Sequence, residues 1–244
     1  CNDIVTPFRE GAAAVGLMSA RSNKRPIVCI PCALKYRYTK DPMPELLPLM
    51  EEVENAIHWQ PRPEKDIVER IHAVGSALMA LKEIEFLGSA RNGSLNERTN
   101  YLANYILANH EKDQGINCGE KDIPERVKEL RRRALKEINK IEEKDTQSRA
   151  TIGRKLHDYL TVVQLFSYPG NYLTKDPSVE RIAETLDKFE EDILRRQPST
   201  VRGERMVKIR FGEPITVSPE KKKGAARELT DLLENRVQDL LDSM

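Results

Sequence analysis

The stretch Ile27-Val28-Cys29-Ile30-Pro31-Cys32-Ala33-Leu34-Lys35-Tyr36 (IVCIPCALKY) decides the fold class. It is nearly continuously apolar and carries β-branched residues, the pattern of a strand covered on both faces, where no side is left for polar groups. Just before it, Gly11 to Ala20 is built of small apolar residues and predicts a short buried helix, with Ser22 to Pro26 as the turn between. A helix feeding a buried strand implies an α/β layer.

Downstream, the period changes. From Asp41 to about Gln197 apolar residues recur every three or four positions, predicting about six helices. Ile67, Ile71, Val74, Leu78 and Leu81 line one helix, which Gly88 would terminate as a C-cap. Ser94 with Glu97, and Asp122 with Glu125 and Pro124, are N-terminal capping signatures for two more. Ile152, Leu156, Leu160, Val163 and Phe166 mark another, and a further helix starts at Asp176-Pro177. A looser helix occupies Glu45 to Trp59. Self-packing accounts for all these apolar stripes.

After a linker from Arg195 to Arg205, strand character returns once, at Met206 to Phe211 (MVKIRF), and stops at Gly212-Glu213-Pro214 because proline cannot donate into a ladder. Ser218-Pro219 would then open a last helix turning Leu229, Leu232, Leu233, Val237 and Leu240 inward. The expected organisation is therefore an α/β core in two pieces, residues 1–40 and 201–244, interrupted by an all-α insertion over residues 41–200, and mostly helical overall.

Charge and composition exclude several classes. Forty Lys plus Arg against 39 Asp plus Glu leave a net charge of +1, so no general positive field favours nucleic acid. Gly11 to Ala20, the longest apolar stretch, falls short of the roughly 18 to 20 residues a membrane span needs. Four cysteines (Cys1, Cys29, Cys32, Cys118) are too few for a disulfide framework in 244 residues and suit a reducing cytoplasm.

Cys29 and Cys32 have metal-motif spacing, but no second Cys or His pair lies at ligand distance in sequence, and residues three apart on a strand point to opposite faces. They are expected to be buried structural residues. None of His58, His72, His110 and His157 has a carboxylate five positions on, and His157 cannot pair with its neighbour Asp158 because adjacent helical residues diverge by about 100°. No catalytic residue and no metal site can be assembled from the sequence.

The runs Arg131-Arg132-Arg133 and Lys221-Lys222-Lys223 fan around a helix instead of forming a phosphate rail. Glu125, Glu129 and Glu137 can offset the first. The second, near a helix start, would suit weak attraction to anionic headgroups. Ser167 to Tyr172, a Pro-Gly turn flanked by tyrosines, is a helix connection or the lining of a groove.

Pro7-Phe8-Arg9-Glu10-Gly11-Ala12, followed by a small-residue helix and by Arg25 to Leu34, resembles the glycerophospholipid acyltransferases, the family of lysophosphatidate and glycerol-3-phosphate acyltransferases. There a P-F-(K/R)-x-G-A segment leads through a helix to a strand of the form V-P-V-A-I. Val207 to Ile215, containing Phe211-Gly212-Glu213-Pro214-Ile215, resembles the family's late strand, which often ends F-G-x-P-I. The likeness covers about 40 residues at each end of the chain.

The resemblance implies transfer of a fatty acyl group from acyl-coenzyme A or acyl carrier protein to a lysophospholipid or glycerol phosphate, with no cofactor or metal. It implies a cytoplasmic enzyme peripheral at the inner face of a membrane, with no nucleic-acid partner. Arg9 matches the position near the acceptor phosphate, where a planar guanidinium can pair two oxygens. Gly11 would allow close backbone approach at a helix start. Pro31 matches the proline assigned to acyl-donor binding or to shaping its strand. Glu10 stands where a second basic residue is common and weakens the expected grip on phosphate.

The family's catalytic H-x-x-x-x-D pair and its F-P-E-G block are absent here. In the family both precede the P-F-(K/R)-x-G-A segment, so the chain is expected to be the C-terminal part of such an enzyme, inactive alone. Its opening on Cys1 also admits a helical scaffold or lipoprotein anchored through a lipid on that cysteine. A nucleic-acid adaptor using the arginine run is a third reading, opposed by the charge balance.

Overall fold

A computed structural model describes residues 5–22, 25–118, 121–168, 170–173 and 176–244. Cys1, the middle of the turn expected at Ser22 to Pro26, and Pro169 of the tyrosine-flanked turn lie outside the described residues. Among the described residues the chain is mostly helical, with little strand: α1 (Gly11–Ser22), β1 (Val28–Cys29), β2 (Cys32–Tyr38), α2 (Met43–Ala56), α3 (Ile67–Leu87), α4 (Leu95–Asp113), α5 (Ile123–Ile138), α6 (Thr146–Ser167), α7 (Val179–Asp192), β3 (Arg205–Phe211), β4 (Ile215–Thr216) and α8 (Ala225–Asp242).

The chain divides into two compact units, one formed by Cys1–Ala56 with Ser178–Met244, the other by Ile57–Pro177. The insertion is expected over residues 41–200. Contacts instead group α2 and α7 with the strands, because α2 packs on α7 and α7 on β2.

In the first unit, the run expected to be one strand is two, β1 and β2, separated at Ile30-Pro31. Pro31 has no N–H to give and breaks the run. The partner chain breaks opposite it, at Gly212-Glu213-Pro214, between β3 and β4. β1 pairs antiparallel with β4 (Val28 opposite Thr216) and β2 with β3 (Cys32 opposite Phe211 through Tyr38 opposite Arg205). Gly212 N–H donates to the Pro31 carbonyl at 2.9 Å, Thr39 N–H to Glu204 at 2.9 Å and Val217 N–H to Ile27 at 2.9 Å, so the two short sheets form one bent ribbon.

Helix α1 closes on the ribbon at Gly16, where a Cβ would lie 3.5 Å from Cys29 Sγ. Ala13, Leu17 and Ala20 of α1 share a core with Val217 and with Leu229 of α8. α8 packs on β2, where Lys35 Nζ donates to the Leu241 carbonyl at 3.1 Å.

Coverage on both faces does not hold. Leu34, Tyr36, Val207, Ile209 and Phe211 share one face of β2 and β3, and all are exposed, Ile209 at 53% and Phe211 at 69%. Cys29 and Cys32 are half-buried, not buried: Cys32 shares the bare face with Leu34 and Tyr36, and Cys29 lies against α1. The last helix starts at Ala225, seven positions beyond Ser218, whose hydroxyl instead accepts from Glu220 N–H in a local turn. Leu232 on α8 is exposed.

The segment 195–205 is no free linker. Arg196 pairs with Glu52, and Arg202 is buried against Asp187 and Glu190 of α7.

In the second unit α4 and α6 pack together, α5 packs on both, and α3 packs on α4. Asp66 caps α3 by accepting from Val68 N–H at 2.8 Å, and Gly88 ends it at φ 81°, returning its N–H to Ile84. Ser94 and Glu97 form the reciprocal capping box of α4, and Asp122 caps α5. Leu102, Ile106, Leu107, Leu130, Ile152 and Tyr159 fill the core, each leucine contributing about 1.5–3 kcal/mol through burial. Self-packing does not absorb every apolar stripe: Leu81 on α3 and Leu160, Val163 and Phe166 on α6 are exposed. Among the described residues α4 and α5 pack on α6 and leave that side of it bare.

Candidate functional site

Arg9 and Gly11 sit together at the entrance to α1, and both are exposed. The approach to the helix is fixed from the side: Val5 N–H donates to Gln238 Oε1 at 2.9 Å and Phe8 N–H to Glu234 Oε2 at 2.7 Å, one turn apart on α8. The Glu10 carbonyl accepts from Ala14 N–H at 2.8 Å, closing the first turn. Amides at such a start face outward and favour anions. A Cβ at Gly11 would meet nothing within 4 Å, so among the described residues no neighbour approaches its backbone closely.

Pro31 is elsewhere in the same unit, buried at the break of the ribbon. Its ring atoms lie 3.5 and 3.6 Å from where a Gly212 Cβ would stand, with Leu240 Cδ1 of α8 at 3.3 Å. Pro31 therefore shapes the ribbon where α8 crosses it.

Two of the clefts formed by the described residues lie in this unit. One of about 370 Å³ lies between α1 and the start of α8, lined by Glu10, Leu17, Met18, Arg21, Lys222 and Arg227. Its cations are already engaged: Lys222 with Glu228, Arg227 with Asp231, and Arg21 with the Glu220 carbonyl. The lysine run thus precedes α8 and is partly neutralised.

The other, of about 110 Å³, lies between the ribbon and α7, lined by Tyr36, Arg37, Tyr38, Glu180, Asp187 and Arg205. Arg205 Nη2 donates to the Tyr38 hydroxyl at 2.7 Å, and Tyr38 N–H donates to Glu180 Oε1 at 3.2 Å. Burial raises the Tyr38 phenol. Burial likewise raises Asp187, against the pull of Arg202 and Arg205. Glu190 goes the other way: burial would push it up, but hydrogen bonds from Arg202 and Thr200 prevail and hold it at about 2. Glu190 and Arg202 tie segment 195–205 to α7.

The second unit holds pairs that no sequence signal announced. His110 Nε2 lies 2.9 Å from Asp158 Oδ2, joining α4 to α6, and its ring meets Tyr159 edge-on at 4.9 Å. Asp158 turns from its neighbour His157 to a histidine 48 positions away, a contact that only helix packing creates. Tyr159 accepts from Gln114 at 3.0 Å, and burial pushes its phenol up to about 12. The dyad orients an imidazole within a helix interface and braces it.

Glu83 and Arg98 form a buried fork at 2.8 and 3.1 Å. Burial opposes the Glu83 charge, but the bonds from Arg98 and from Arg91 N–H lower it. In the arginine run, Arg132 and Arg133 both bind Glu129, which they hold at about 2.

Among the described residues no group of three or more His, Cys, Asp or Glu side chains could hold a metal ion. No helix among them is long and apolar enough to cross a membrane. The chain matches no protein-family model, no curated protein and no solved structure.

Proposed function

We propose that this chain is the C-terminal part of a glycerophospholipid acyltransferase. One observation carries the reading. The two segments that resemble the family stand at opposite ends of the sequence, yet they pair as one ribbon, with Gly212 N–H of the late motif donating to Pro31 of the early one at 2.9 Å. Neither composition nor helical patterning in the intervening residues requires that meeting.

In this reading a hydroxyl of a lysophospholipid or glycerol phosphate attacks the carbonyl of an acyl thioester held by coenzyme A or acyl carrier protein. The hydroxyl proton passes to a histidine contributed by the part of the enzyme preceding this chain, the C–S bond breaks, and the histidine hands that proton to the departing thiolate. Arg9 binds the acceptor phosphate, assisted by the outward amides at the start of α1. Glu10 beside it moderates that attraction. Pro31 keeps the ribbon bent beneath α8. The enzyme works peripherally at the inner face of a membrane and uses no metal.

The test is to read the coding sequence upstream of Cys1 and assay the complete product. An H-x-x-x-x-D pair and an F-P-E-G block within about 100 codons, with acyl transfer from a radiolabelled thioester to an acceptor, is the expected result. Absence of both motifs, or a complete product that transfers no acyl group, overturns the reading.

A further inference from the structure

From Gly11 to Ala20 helix α1 carries no charged side chain. A helix that is apolar all round is normally buried all round. This one buries a single side, with Ala13, Leu17 and Ala20 in the core shared with Val217 and Leu229. The other side is open. Ala12, Val15 and Met18 recur there every three positions, one stripe of the helix, and Val15 and Met18 are 59% and 57% exposed.

The surroundings of that stripe are basic. Met18 also borders the cleft between α1 and the start of α8, where Arg21, Lys222 and Arg227 stand. Arg21 Nη2 donates to the Glu220 carbonyl at 3.4 Å, so the run Lys221-Lys222-Lys223 starts beside the last turn of α1. Glu228 and Asp231 engage Lys222 and Arg227. Among the described residues no carboxylate pairs with Arg21, Lys221 or Lys223. Those three cations at one end of α1, with the exposed Arg9 at the other, outnumber Glu10 and Glu220 on the same rim.

Exposed apolar side chains on a rigid helix, bordered by unpaired cations, complement a surface that is anionic outside and apolar just beneath, which describes a bilayer with anionic headgroups. We propose that α1 lies flat on such a bilayer, with Val15 and Met18 entering the headgroup boundary and Arg21, Lys221 and Lys223 pairing with headgroup phosphates. This deepens the acyltransferase reading and rests on it for the role of Arg9. A helix lying flat holds both ends at one depth, about 15 Å apart from Gly11 to Arg21 at 1.5 Å per residue. Arg9 then stands at the level of the phosphates, and a lysophospholipid acceptor meets it without leaving the bilayer. The lysine run, awkward beside the start of a helix, acquires a purpose.

Flotation of the 244-residue chain with vesicles tests this, using phosphatidylcholine and phosphatidylglycerol in equal parts against phosphatidylcholine alone. The chain should bind the anionic vesicles at least tenfold more tightly, and raising the salt should weaken that binding. Lys221→Gln with Lys223→Gln should weaken it tenfold or more. Val15→Gln with Met18→Gln should do the same, with circular dichroism and melting temperature unchanged because both positions are exposed. A spin-labelled lipid should broaden the Met18 methyl resonance and spare the methyls of Ile209 on the bare face of the ribbon. Failure to bind, equal binding to both vesicles, binding unchanged in either double variant, or broadening at Ile209 in place of Met18 overturns the proposal. Burial of Met18 that grows with protein concentration in the absence of lipid assigns the stripe to a second copy and also overturns it. Acyl transfer by the complete product is scored separately. Docking through Met18 without transfer sinks the enzymatic reading alone, and transfer without docking through Met18 sinks the membrane surface alone.

Discussion

Gly212 stands opposite Pro31, its N–H 2.9 Å from the proline carbonyl, and a Cβ on it would meet Leu240 Cδ1 of α8 at a tight 3.3 Å. The ribbon bends under α8 at this pair, since proline interrupts one strand and glycine lets the helix close over the other. Substituting Gly212→Val crowds Leu240 and Pro31. The expected loss is about 1–3 kcal/mol of stability, the usual range for overpacking, read from urea denaturation with tryptophan-independent circular dichroism.

Gly170 is a harder case. A Cβ there would overlap the Asn96 backbone nitrogen and lie 2.7 Å from Leu95, atoms at the start of α4 that cannot swing aside. Gly170→Ala should displace the connection after α6 and lower the melting temperature by several degrees, as a loss of about 1–3 kcal/mol would. The His72 bond to the Leu173 carbonyl, 3.0 Å, should loosen with it and appear as a changed imidazole resonance.

Glu190 and Arg202 govern acid stability. The Glu190 carboxyl is held at about 2 when folded, below its ordinary 4.5. Between those values the unfolded chain binds the extra proton, so this group's contribution is complete above about 4.5 and is lost as pH falls toward 2. Arg202→Met alone leaves the buried Glu190 carboxylate with Thr200 and the more distant Arg196 but without its closest cation, and should cost about 3–5 kcal/mol. The double variant Glu190→Gln, Arg202→Met should recover much of that and flatten the acid limb of melting temperature against pH. An unchanged acid limb would show that Glu190 does not control it.

Arg9 is exposed and outside every core, so Arg9→Ala should leave the melting temperature within about 1 °C. On the proposed acyltransferase reading it should raise KM of the complete product for a phosphate-bearing acceptor about tenfold or more, the scale of one charge-assisted hydrogen bond, with KM for the acyl thioester unmoved. Steady-state kinetics with each substrate varied in turn separates the two.

Local chemistry was legible where it acts within one turn of helix. The Ser94–Glu97 box, the Asp122 cap and the Gly88 terminus all fall where the residues demanded, because a cap needs only neighbours in sequence. Of the site residues, Arg9 and Gly11 were legible as neighbours at a helix start, and Pro31 as a residue inside a strand run. Pro31's consequence, a broken ribbon, depended on which strand it faced. His110 with Asp158, and Glu190 with Arg202, were not legible at all, since each pair joins segments that sequence spacing does not relate.

The order of elements, their capping, and the return of strand character after a long helical block follow from the sequence alone, because propensity and periodicity are short-range. Which strands pair, which face of the ribbon stays bare, and which buried carboxylate receives which arginine belong to tertiary structure. IVCIPCALKY announced enough apolar surface for two covered faces, and periodicity cannot tell whether the second cover is present. In the fold α1 and α8 cover one side, and Leu34, Tyr36 and Ile209 on the other are left facing outward.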